Sequence, residues 1–129
     1  MRRILFSLFL SISILSLTAC QTKETYSLQA ALSEEKITET RFEIKTDGVE
    51  LTLPLNDFSC NPGSFQPLLT RSDSIFSVVL SGQETESRCQ EKFYAKLIGV
   101  KSGDYKFKVI YKKNNQEQNL FEKEFTIAK

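Results

Sequence analysis

The chain has 129 residues and 14.8 kDa, with 17 Lys+Arg against 16 Asp+Glu, three Cys, no His and no Trp. That length allows one domain, and the near-zero charge gives no global field to hold a polyanion, so nucleic acid is not an expected partner. Without His there is no Ser-His-Asp site, no imidazole base and no imidazole for zinc; no Gly-rich phosphate loop or calcium-loop spacing of acids is present, so no catalytic residue, metal ligand or cofactor is expected.

The chain opens on the basic Met1-Arg2-Arg3, and residues 4–17 are apolar apart from Ser7, Ser11, Ser13 and Ser16. As a helix this run would be about 21 Å long, short of the ~30 Å hydrocarbon core, so residues 1–19 read as an export signal rather than a permanent span. The run ends in Leu17-Thr18-Ala19-Cys20, which resembles the lipobox of bacterial lipoproteins. In that family the cysteine thiol is joined to diacylglycerol, the signal is cut just before it, and the new α-amino group is often acylated as well. The resemblance implies a lipid anchor at Cys20, with Ala19 as the small residue before the cut. Each buried methylene of such a lipid adds about 0.8 kcal/mol, enough with two or three chains for lasting attachment. Gln21 stands where an Asp marks inner-membrane retention, which implies the outer membrane if the host has two membranes. Residues 20–36 are polar with Leu28, Ala31 and Leu32 at helical spacing, and read as the lipidated terminus and a tether.

The two other cysteines, Cys60 and Cys89, form an even pair in an exported chain, so a disulfide is expected. Closing a loop of about 30 residues contributes roughly 3–4 kcal/mol in the chain-entropy model.

From Ile37 the apolar period becomes two, and residues 37–129 read as one β domain. Phe42 and Ile44 alternate with charged residues, Asp47-Gly48 intervenes, and Val49, Leu51, Leu53 and Leu55 resume the alternation. Asp-Gly between such runs signals a hairpin. A two-residue loop there would pair Ile44 with Leu51, Phe42 with Leu53 and Lys45 with Glu50, and Pro54 places the far end of the second strand at a sheet edge. Residues 56–73 hold two of the three prolines and read as a long connection between sheets. Residues 74–81 read as a central strand covered on both faces. In residues 91–98, Phe93, Ala95 and Leu97 alternate with Lys92, Tyr94 and Lys96. The last hairpin runs from Tyr105 to Ala128 around Lys113-Asn114-Asn115-Gln116, and pairing that sets Val109 against Phe121 also sets Lys108 beside Glu122 and Lys106 beside Glu124.

Six to seven strands and no long helix predict an all-β, antiparallel sandwich. Gly103-Asp104-Tyr105-Lys106-Phe107-Lys108-Val109 is similar to the start of the penultimate strand of immunoglobulin-like and fibronectin type III domains, in which a tyrosine hydroxyl bonds back to the preceding corner. The resemblance implies that role for Tyr105. The chain departs from a true immunoglobulin domain in having no Trp on the disulfide and in placing Cys89 before the tyrosine, so the likeness extends to architecture alone.

Lys92, Tyr94 and Lys96 on one strand, with Lys106 and Lys108 on another, form a candidate face for an anionic ligand. A solvated sheet face whose charges discourage aggregation accounts for the same residues. Together these readings lead to the expectation of a membrane-anchored envelope lipoprotein, a non-catalytic binding or structural module for another envelope protein. One alternative is an inhibitor or immunity-type lipoprotein that blocks a hydrolase through residues 56–73, and another is a lipid or glycan carrier with a cavity between its sheets.

Overall fold

Alternation of apolar and polar residues organises the chain into strands whose inward faces close on one another. The computed structural model describes residues 25–129; the expected signal of residues 1–19 and the expected lipidation at Cys20 lie outside them. Among the described residues there are eight strands: β1 (Ser27–Ser33), β2 (Arg41–Ile44), β3 (Val49–Ser59), β4 (Gln66–Ser72), β5 (Ile75–Ser81), β6 (Arg88–Ile98), β7 (Gly103–Lys113) and β8 (Gln116–Ile127). They form two four-stranded sheets, β1-β6-β3-β2 and β4-β5-β7-β8, stacked as a β-sandwich. The core between them is filled by Leu51, Leu53, Phe58, Phe76, Leu80, Phe93, Leu97, Phe107 and Val109, all essentially inaccessible to water.

The sandwich is not wholly antiparallel, because β5 and β7 pair in parallel. The reason lies in the path of the chain. β6 runs back through the opposite sheet, so the return to β7 supplies the crossover that parallel neighbours require. Tyr105 takes the corner role expected of it: its hydroxyl donates to the Lys101 carbonyl at 2.9 Å.

Four further expectations are corrected. Residues 27–33 are not part of a tether; they form β1, paired antiparallel with β6 from Ser27↔Ile98 to Ser33↔Lys92. The sandwich therefore includes residues ahead of the expected boundary at Ile37. Leu28, Ala30 and Leu32 point inward and are half-buried, a period of two that Ala31 disguised as helical spacing. Residues 56–73 do cross between the sheets, but β3 extends through Ser59 and β4 begins at Gln66, leaving only a short 3-10 turn, Pro62–Ser64, between them. β5 is central but covered on one face only, with Phe76, Val78 and Leu80 buried and Ile75, Ser77 and Val79 half-exposed.

The first hairpin is slipped by two residues from the expected register: Phe42 faces Leu51 and Ile44 faces Val49, across a four-residue connection from Lys45 to Gly48. Asp47-Gly48 does not form a tight type I′ turn. Asp47 accepts from the Val100 amide through its carbonyl (2.7 Å) and from the Gly99 amide through its carboxylate (3.1 Å), which ties the hairpin to the β6–β7 loop. Gly48 is required by contact. A methyl group built on it would lie 1.7 Å from the Leu97 carbonyl oxygen. The second hairpin keeps the expected register from Gly103↔Ile127 to Val109↔Phe121 and turns through Asn114 and Asn115, both with positive φ (48° and 65°), as a type I′ turn demands.

Candidate binding cleft

Two strand irregularities fall on the same flank of the sandwich. β3 carries a bulge at Asn56-Asp57, where two residues stand opposite Gln90 between the Leu55↔Glu91 and Phe58↔Cys89 pairs. β8 carries one at Leu120, between the partners of Val109 and Ile110. The intervening strand β2 stops at Arg41, opposite Thr52, so from Leu53 onward β3 has no strand neighbour on that side among the described residues. A bulge bends its strand and re-aims the side chains beside it. Here the two bulges border a cleft of about 200 Å³, rimmed by Pro54, Asn56, Asp57, Gln118 and Leu120, with the buried side chains of Leu53, Leu55, Phe58 and Tyr111 at its base. Pro54 lies in this uncovered stretch, at the edge position expected for a residue with no amide hydrogen. Proline and bulge together blunt the edge against indiscriminate strand addition.

The neighbouring end of the molecule is held rigidly. Cys60 and Cys89 form the expected disulfide, with Cα atoms 4.9 Å apart, joining the end of β3 to the start of β6. Arg88 donates to the Asp57 carboxylate (2.8 Å) and carbonyl (2.6 Å) and to Glu84 (3.2 Å), while the Tyr111 hydroxyl donates to the other Glu84 oxygen. The Arg88 guanidinium holds the Asp57 carboxyl below the usual carboxylate range, and burial, reinforced by Glu84, raises the Tyr111 phenol. Ser59 and Thr85 lock the loop after β5 through their hydroxyls (2.9 Å) and the Thr85 amide (2.9 Å). One wall and the rim of the cleft are thereby fixed in place.

The five residues of the expected lysine-rich face do not come together. Lys92, Tyr94 and Lys96 lie on β6 in one sheet, Lys106 and Lys108 on β7 in the other, and the outward faces of these sheets point in opposite directions. Sequence alternation showed which residues faced outward but not which sheet each strand joined. Several of the charges are also matched locally: Lys92 pairs with Glu35, Lys106 with Glu122 at 2.9 Å, and the Tyr94 hydroxyl donates to Glu50 at 3.2 Å.

One unusual group escaped the sequence reading. Glu91 is 1% exposed, and neither carboxylate oxygen has a hydrogen-bond partner among the described residues. Burial, with a smaller contribution from the charge of Glu34, pushes its pKa up. The signal was present in the sequence: Glu91 has the same parity as Phe93, Ala95 and Leu97, and so belongs to the core face of β6.

No protein-family model, curated protein or solved structure matches the chain.

Proposed function

We propose that the protein is a membrane-anchored envelope lipoprotein whose disulfide-pinned sandwich is a non-catalytic binding module. The site would be the cleft between β3 and β8, and the occupant a side chain presented by another envelope protein. The observation that carries the binding role is the coincidence of two bulges and a truncated strand around one cleft of mixed polar and apolar lining beside a braced end of the fold. The anchor rests on Leu17-Thr18-Ala19-Cys20 after a basic and apolar leader. Its two companion cysteines bond to each other, which leaves the Cys20 thiol without a cysteine partner in this chain.

At this cleft the volume favours a side chain over a carried lipid or glycan, since about 200 Å³ lies below the ~300–1,000 Å³ of small-molecule sites. Phe76, Phe93 and Phe107 occupy the space between the sheets where a carrier would hold its cargo. The inhibitor reading draws less support, because residues 56–73 are mostly strand and do not project as a loop.

A photo-crosslinking residue at the exposed rim position Gln118, introduced in intact cells, tests the site. A discrete crosslinked partner from Gln118, absent when the same residue replaces Thr126 at the far end of β8, is the expected result. Equal crosslinking from both positions, or none from Gln118, contradicts it.

A further inference from the structure

The strand order settles where the chain leaves the sandwich toward its amino terminus. Ser27 pairs with Ile98, and the backbone of Thr25 and Tyr26 lies against Gly99, close enough that any side chain on Gly99 (φ +78°) would collide with the Thr25 carbonyl oxygen. The Tyr26 ring packs edge-on against Phe76, with centroids 5.2 Å apart. The amino-terminal segment is thus seated at the end formed by the β6–β7 loop, the Lys45–Gly48 connection, the β4–β5 turn and the last residues of the chain. Hydrogen bonds join these pieces: Val100 to Asp47 (2.7 Å) and Lys106 to Ser74 (2.9 Å), with Gly103 paired to Ile127. The disulfide, the loop after β5, and the Asn114-Asn115 turn lie at the other end of the same strands.

Only five residue steps separate Cys20 from Thr25, and a fully extended chain covers at most about 18 Å in that number. From the same anchorage the opposite end is far away, because β6 is 11 residues long, about 34 Å at strand rise. We infer that the sandwich stands end-on to the bilayer, with the β6–β7 loop end against the lipid headgroups and the disulfide end directed away. This orientation rests on the proposed lipidation of Cys20 and deepens it. The end next to the lipid carries the exposed Ile44, and its exposed Lys45, Lys101 and Lys129 are balanced by the exposed Asp47, Asp73 and Asp104, so the length of chain from Cys20, not charge, carries the orientation. The cleft bordered by Asp57, Gln118 and Leu120 lies toward the distal end, open to a partner beyond the membrane surface.

Headgroup-quencher fluorescence on the full-length lipidated protein, in vesicles of phosphatidylethanolamine and phosphatidylglycerol containing nitroxide-headgroup lipid, tests the orientation. The thiol dye is placed at Lys101→Cys or Lys129→Cys for the near end and at Glu86→Cys or Asn115→Cys for the far end. Two positions at each end guard against one variant failing to fold. The expected result is quenching several-fold stronger at residues 101 and 129 than at 86 and 115. Equal or reversed quenching in vesicle-bound protein overturns the orientation and leaves the anchor standing. Dye uptake by the wild-type chain at Cys20, or failure to float with the vesicles, overturns the anchor and the orientation with it.

Discussion

Glu91 is the residue at which the fold works against itself. A buried carboxylate without a partner favours its neutral form, so its folded pKa lies above the unfolded one and the native state holds the proton more tightly. The stability this confers is present at low pH and is lost as pH rises through the folded pKa. Chemical denaturation of Glu91→Gln should therefore show a flatter decline above the ordinary carboxylate range, and higher stability than wild type at pH 8. Identical pH profiles would contradict the assignment. Asp57 and Glu122 act in the opposite sense, since their partners lower their pKa values and their contributions fade as pH falls. Tyr105 gives a second residue-scale prediction. Tyr105→Phe removes the bond to Lys101 and should cost about 1 kcal/mol, a fall in Tm of roughly 4–8 °C. This role was implied by the resemblance of residues 103–109 to the penultimate strand of immunoglobulin-like domains. That of Glu91 was legible from parity, had parity been followed one step beyond the apolar residues.

At the scale of strands, what could be read depended on how much each one buries. β6 and β7 alternate over long stretches, and the register of the β7–β8 hairpin follows from facing charges as well as facing apolar groups. β1 and β4 are edge strands with half-buried inner faces, and Ala31 and the exposed Leu68 blur their alternation. Their place in the fold is set by neighbours distant in sequence, which no local pattern displays. The β2–β3 hairpin shows the same limit. Asp47-Gly48 has the composition of a tight turn, but tertiary contacts claim both residues, Asp47 through the β6–β7 loop and Gly48 through the close approach of Leu97. Gly48→Ala should therefore destabilise by about 1–3 kcal/mol through overpacking, even though Gly48 does not need positive φ. A thermal melt unchanged by that substitution would show that the hairpin can move aside.

For the whole molecule, the disulfide joins β3 and β6, neighbours in one sheet, at the end where the cleft, the Arg88 network and the loop after β5 meet. Its sequence separation of 29 corresponds to about 3–4 kcal/mol of denatured-state entropy. Paired Cys60→Ser and Cys89→Ser substitutions should lower stability by that order, and denaturant titration with and without reductant measures it. The candidate site was the least legible part of the sequence. The lysines fell on two faces because sheet membership is a long-range property, and the cleft arises from bulges and a strand that stops short, features that composition does not announce. The proposed lipidation is the reverse case, since it rests on the local sequence Leu17-Thr18-Ala19-Cys20. Intact-mass and peptide mass spectrometry of the protein extracted from its native membrane tests it most directly. The expected result is a mature chain beginning at Cys20 with diacylglycerol on its sulfur; a chain that retains residues 1–19, or begins elsewhere with an unmodified Cys20, would overturn the proposed anchor.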